Sequence, residues 1–130
     1  MAGNISDFAE NVMLDYILRA GTASIPAAWG VGLSEGSPTD AAASELPVAS
    51  GYTRQTVLFA AAATGTASNS AAITFSSAAA SFSVLGMQVW NTAATSAGSM
   101  LWRGTIAASK VVTNGDALVF AIGAISITLD

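Results

Sequence analysis

Phe82-Ser83-Val84-Leu85-Gly86-Met87-Gln88-Val89-Trp90 is the stretch on which the fold turns. Successive side chains of a strand point to opposite faces, so Phe82, Val84, Gly86, Gln88 and Trp90 share one face while Leu85, Met87 and Val89 share the other. Both faces are largely apolar, which predicts a strand covered on two sides, in the interior of the protein or against a neighbouring subunit. The same period of two recurs outward from it. After Pro26, Trp29, Val31 and Leu33 alternate with small residues, and Tyr52 to Ala60, Ala71 to Phe75, Met100 to Ile106, Ala117 to Ile122 and Ile125 to Leu129 read as further strands between Gly, Asn, Ser and Thr clusters. About seven short strands without helical crossovers predict a mainly β fold, an antiparallel β-sandwich or small barrel. Asn114-Gly115-Asp116 is a tight-turn signal and Gly123 splits two apolar runs, so a C-terminal hairpin is expected.

One segment breaks this pattern and predicts a single N-terminal α-helix. Ser6 stands ready to cap it, Asp7 and Glu10 fall in its first turn, Arg19 in its last, and Gly21 follows as a stop. Phe8, Val12 and Tyr16 recur at i, i+4 and i+8, with Ala9, Met13 and Ile17 one position along. Such a broad apolar face needs cover, in the first instance from the protein's own sheet and otherwise from a neighbouring subunit. Between the strands, Ser34 to Gly51 forms a long Ala/Ser-rich connection with Pro38, Pro47 and the acids Glu35, Asp40 and Glu45. A connection this long is expected to be pinned, and pinning against a neighbour is favoured. With no internal repeat, the chain reads as one domain over 1–130, the helix in 1–21 and the β-sandwich in 27–130.

Composition narrows the chemistry. Of 130 residues 52% are hydrophobic, yet 28 are alanine, so the large side chains fall in a few runs; only 9% are charged, against roughly 25% in an ordinary soluble domain. A surface so poor in charge is expected to be covered by copies of itself or by a partner. The net charge is −4, and Arg19, Arg54, Arg103 and Lys110 are scattered singly, so no nucleic-acid partner is expected. The longest apolar run, Val57 to Ala63, falls far short of the roughly 18 residues of a membrane span, and no membrane partner is expected either.

The sequence contains no histidine and no cysteine, which removes the commonest general base, the commonest metal ligand and all thiol chemistry. Gly32-Leu33-Ser34-Glu35-Gly36 spells the nucleophile-elbow pattern, but that elbow needs a large parallel sheet and a histidine to take the serine proton. Asp7, Glu10 and Asp15 share the helix, but Asp7 and Glu10 sit in its first turn, where the dipole explains them without an acid/base pair. Glu35, Asp40 and Glu45 lack the dense oxygen spacing of a calcium loop. No enzymatic activity, cofactor or metal is expected. The residues picked out instead are large aromatic and apolar anchors for an interface: Phe8, Val12, Tyr16, Trp29, Tyr52, Trp90 and Trp102.

Three blocks carry a resemblance: Ser6-Asp7-Phe8-Ala9-Glu10-Asn11 with Leu14-Asp15; Gly51-Tyr52-Thr53-Arg54-Gln55; and Thr113-Asn114-Gly115-Asp116 through Ile127-Thr128-Leu129-Asp130. In order and spacing they resemble a family of small tailed-bacteriophage proteins usually labelled tail fibre proteins, over nearly the whole chain. The resemblance implies a virion structural protein with no catalytic residue. The chain departs from the family pattern between Asn91 and Ser99, where Thr, Ala and Ser replace an Asp- and Gly-containing turn. Small one-domain proteins of this kind also serve as capsid decoration, or cement, proteins, which commonly act as trimers. The leading expectation is therefore a homotrimer on the capsid surface that bridges major capsid protein subunits. The alternatives are a tail fibre or tail-tip component bound to tail proteins or a host receptor and, more remotely, a carbohydrate-binding module.

Overall fold

The computed structural model describes residues 2–19, 26, 28–76 and 78–129. Among them are nine strands and one α-helix: β1 (Ala2–Ile5), α1 (Asp7–Leu18), β2 (Trp29–Ser34), β3 (Gln55–Val57), β4 (Thr66–Ser68), β5 (Ile73–Phe75), β6 (Phe82–Trp90), β7 (Met100–Val112), β8 (Leu118–Phe120) and β9 (Ser126–Thr128). Every strand pair is antiparallel. Five strands form a sheet in the order β1-β7-β6-β2-β3, and β4-β9 and β5-β8 form two ribbons, with no closed barrel.

The deciding stretch becomes β6, the central strand of the sheet. Val84, Met87, Gln88 and Val89 are all buried, so both faces are covered as the residue pattern requires. The exception is Leu85, 39% exposed. Val84 pairs with Lys110 while Gly86 pairs with Thr105, so Ile106 to Ser109 of β7 bulge opposite a single residue, and the bulge lifts that part of the ladder away from its cover.

Register explains the two faces. Val31 lies opposite Val89 and Leu33 opposite Met87, and directly opposed residues of an antiparallel pair share a face. Val31, Leu33 and Met87 meet Val57, Ile73, Phe75, Val84, Val112 and Ile125 in one apolar core. Phe75 stacks on Tyr52 at 6.0 Å between ring centroids and meets Phe120 edge-on at 6.1 Å. Each such side chain contributes about 1.5–3 kcal/mol on burial. On the other face Gly30 opposes Trp90, Gly32 opposes Gln88 and Ser34 opposes Gly86. A glycine beside each large or polar side chain leaves room for loops to lie against the sheet.

Asn69 ties the small ribbons together. It is 1% exposed, its Nδ2 donates to the Ala71 and Ala121 carbonyls at 2.8 and 2.9 Å, and its Oδ1 accepts from the Ile125 N–H at 2.8 Å. Three backbone groups in the irregular ends of the ribbons are thereby satisfied, as burial demands.

Several element boundaries differ from expectation. The run from Tyr52 to Ala60 yields only β3, because Tyr52 and Arg54 turn inward as buried polar anchors and Leu58 is 59% exposed. The strand starting at Met100 runs on to Val112. No C-terminal hairpin forms: β8 pairs with β5, and β9 with β4. The turn at Asn114-Gly115 is present, with Gly115 at φ +91° and the Asp116 N–H donating to the Thr113 carbonyl at 2.9 Å. Gly115 also donates to the Ala78 carbonyl at 2.9 Å, so the turn docks sideways instead of folding β8 onto β7.

Helix α1 starts where its cap predicts. The Ser6 Oγ accepts the Ala9 N–H at 3.3 Å and donates to the Met100 carbonyl at 2.5 Å, so one hydroxyl both caps the helix and ties it to β7. Ser6→Ala is expected to cost about 1–2 kcal/mol, read as a lower urea midpoint with reduced ellipticity at 222 nm. The predicted stop at Gly21 lies outside the described residues. The expected packing of a broad helix face on the protein's own sheet is not what forms. Within α1 only Ala9 is buried, and its main contact is β7, while Phe8 is 43%, Tyr16 62% and Leu18 73% exposed.

Candidate interaction surface

The connection from Ser34 to Gly51, with the residues that follow it to Arg54, is held by contacts within the chain itself. The Leu46 N–H donates to the Leu33 carbonyl at 2.9 Å, Gln88 Nε2 donates to the Ala43 carbonyl at 2.5 Å, and Val48–Ser50 makes a short 3-10 turn. At its centre lies a buried ion pair. Arg54 Nε and Nη2 donate to the two carboxylate oxygens of Glu45 at 2.6 and 2.7 Å, with side chains 1% and 14% exposed. Arg54 Nη1 donates to the Ala94 and Ala97 carbonyls at 2.9 and 2.6 Å, and the guanidinium lies 3.7 Å over the Trp90 ring. One arginine therefore holds two loops and an aromatic ring by charge-assisted bonds and a cation–π contact.

Tyr52 completes the cluster: its hydroxyl donates to Glu45 Oε1 at 2.6 Å and accepts from the Leu33 N–H at 3.0 Å. Burial, and then the hydrogen bond to the Glu45 carboxylate, push its phenol above the ordinary value. Gly32 sits where these groups converge. A Cβ there would lie 2.8 Å from Gln88 Oε1 and 3.0 Å from both Trp90 Nε1 and the Tyr52 hydroxyl. The charges of the cluster pair internally, while Gln88 Oε1 and Trp90 Nε1 lie buried without a hydrogen-bond partner among the described residues, and its chemistry is that of a clamp.

The accessible features lie elsewhere. An apolar cleft of about 270 Å³ is lined by Trp29, Phe59, Val89, Leu101, Trp102 and Leu129, among others. Beside it a polar cleft of about 380 Å³ is lined by Asn4, Asp7, Glu10, Asp40 and Arg103. Trp102 and Leu129 line both. In the polar cleft Arg103 Nη2 donates to Asp40 Oδ2 at 2.5 Å, and this bond to Arg103 holds the Asp40 carboxyl below its ordinary value. A carboxylate whose pKa is lowered by folding contributes stability that is present above its unfolded pKa and lost as pH falls through the folded one. The urea-midpoint gap between the wild type and Asp40→Asn, open at pH 6, is therefore expected to close as pH drops below 3.8.

The seven residues picked out from the sequence separate into three groups. Phe8, Val12 and Tyr16 form a stripe along α1, Phe8 and Tyr16 being exposed. Trp29 and Trp102 line the apolar cleft. Tyr52 and Trp90 instead belong to the clamp, Tyr52 being 3% exposed. Ser34 of the elbow-like motif is 0% exposed on an antiparallel strand. Glu45 and Asp40 are held by Arg54 and Arg103, and among the described residues no three acidic side chains gather around a metal position. Sequence reading missed Arg54, Glu45 and Gln88. The available signal was that Arg54, one of only four basic residues, sits beside Tyr52 in a block of polar residues inside a predicted strand.

The family model of the Podophage GP4 fiber I protein gp80 matches residues 4–128. No curated protein matches the chain.

Proposed function

The chain belongs to the family of the Podophage GP4 fiber I protein gp80, and from that membership we propose that it is a non-enzymatic structural subunit of a phage fibre, built into the virion by association with copies of itself. The observation that carries this reading is α1. Apolar residues occur around its whole circumference, the pattern of a helix covered on every side, yet Ala9 is its only buried residue. Leu14, Ile17 and Leu18 are 54%, 73% and 73% exposed, in a chain with only 9% charged residues to keep such a surface in water. No catalytic role is assigned, since the hydroxyl of Ser34 is sealed in the sheet and the carboxylates of Glu45 and Asp40 neutralise arginines.

A second reading, capsid decoration by bridging major capsid protein subunits, draws support from the single apolar core, which suits a compact cement better than a shaft. Gel densitometry of purified virions with immunogold labelling tests the two. Label confined to fibres, at a copy number well below that of the major capsid protein, is the expected result. Label over the head at a copy number approaching that of the major capsid protein would replace the fibre reading with the second.

A further inference from the structure

We infer that residues 2–19, strand β1 with helix α1, form a strap that undocks from β7 as a unit while the rest of the fold stays closed, and that Arg103 is its latch. The inference concerns the chain by itself and does not rest on the fibre-subunit reading. Its first ground is where the core begins. The apolar cluster draws its members, buried and half-buried alike, from Trp29 onward, and no residue of the strap belongs to it. Within α1 only Ala9 is buried, so little apolar area returns to water when the segment leaves.

What holds the strap is polar and gathered at one end of the helix. Four residue pairs join β1 to β7, from Ala2 with Thr105 to Ile5 with Trp102. The Ser6 N–H donates to the Leu101 carbonyl at 2.9 Å, and its hydroxyl to the Met100 carbonyl. Beyond Ser6 the attachment is electrostatic. Asp40, on the connection between β2 and β3, accepts the Asp7 N–H at 3.3 Å through Oδ1 and Arg103 Nη2 at 2.5 Å through Oδ2. The other end of α1 pairs within itself, Asp15 with Arg19.

Arg103 is the hub of this joint. Among the described residues it is the one cation lining the polar cleft, against the carboxylates of Asp7, Glu10 and Asp40. The bond to Asp40, and after it the charges of Asp40, Asp7 and Glu10, hold the guanidinium in its charged form. Without it, two carboxylates on the strap face one on the body, and like charges push the two apart. Undocking bares the β7 backbone from Trp102 to Thr105, an unpaired strand edge of the kind that another strand can extend.

Native-state hydrogen exchange of the full chain, read amide by amide at rising sub-denaturing urea, tests the strap. The amides of β1, Ser6 and central α1 are expected to follow one urea dependence, shallower than that of the β6 amides, since this opening exposes less surface than global unfolding. Ile73→Val changes the core away from the strap. It is expected to speed exchange in β6 by about fivefold and to leave the strap unchanged. Arg103→Gln is expected to speed exchange in both by about fivefold, because docking energy lost at the strap is lost from global stability too. Added salt should shrink that effect by screening the carboxylates. Strap amides that accelerate with Ile73→Val open only with the whole fold, which overturns the inference. So do α1 amides that exchange independently of urea while β1 follows β6, the mark of helix fraying alone. Strap exchange unmoved by Arg103→Gln, or moved equally at low and high salt, overturns the latch.

Discussion

Arg54→Met is expected to destabilise the protein by about 3–5 kcal/mol, the cost of breaking a buried ion pair from one side. A domain holds in total only about 5–15 kcal/mol, so the variant sits near the edge of folding. The magnitude follows from what the side chain leaves behind. Glu45, 14% exposed, loses both guanidinium donors and keeps only the Tyr52 hydroxyl; the Ala94 and Ala97 carbonyls lose theirs; and the Trp90 ring loses the guanidinium lying 3.7 Å above it. Arg54→Lys recovers the charge but not the two-pronged geometry, so it should fall between the variant and the wild type. Adding Glu45→Leu to Arg54→Met removes the stranded carboxylate and should return part of the loss, leaving the share due to the loop carbonyls. Urea denaturation checks this through a lower midpoint at unchanged slope. A loss below about 1 kcal/mol for Arg54→Met would mean that the pair behaves as a solvent-screened surface contact.

The contrast between β6 and this clamp shows how far a sequence can be read. The nine residues of β6 carry their own evidence, because alternation is a local property and apolar residues on both faces need a central strand whatever the partners are. The same holds for Ser6 and α1, whose cap and first-turn acids act within one turn. What stayed hidden depends on residues distant in sequence or on very small side chains. Strand β1, Ala-Gly-Asn-Ile, is held by its pairing with β7 rather than by any pattern of its own, and β4, Thr-Ala-Ser, depends on β9 in the same way. The C-terminal hairpin was misread because Gly123 marks a turn, while the choice of partner for β8 and β9 is made by strands earlier in the chain. On the candidate surface, the α1 stripe was legible as an apolar face but not as an uncovered one, since coverage depends on where the sheet ends. Tyr52 and Trp90 read as interface aromatics for want of any sign that an arginine and a glutamate would close over them.

The second large effect is expected at Gly30, where Gly30→Ala should cost about 3 kcal/mol, the upper range for overpacking a filled site. Replacing glycine by alanine inside a strand ordinarily helps, by about 0.5–1 kcal/mol, because it restricts the unfolded chain. Here the added Cβ would stand 2.4 Å from the Thr92 carbonyl oxygen and 2.7 Å from the Ala93 Cα. Both are backbone atoms, so no rotamer change relieves the clash. The turn that carries them is also held in place: the Asn91 N–H donates to the Ser99 carbonyl at 3.1 Å, the Ser99 N–H to Asn91 Oδ1 at 2.8 Å, and Arg54 grips Ala94 and Ala97. Gly115→Ala provides the comparison. Nothing lies within 4 Å of its Cβ position, but its φ is +91°, so it should lose only about 1 kcal/mol to conformation. Since the rigidity of the 91–99 turn depends on Arg54, the two largest effects should be coupled. In a double-mutant cycle, Gly30→Ala combined with Arg54→Met should cost less than the sum of the single variants by about 1 kcal/mol or more, because the turn freed by the second change can yield to the first. Strict additivity would mean that the turn is held over Gly30 by the sheet alone, with the arginine clamp acting only on the loop that carries Glu45.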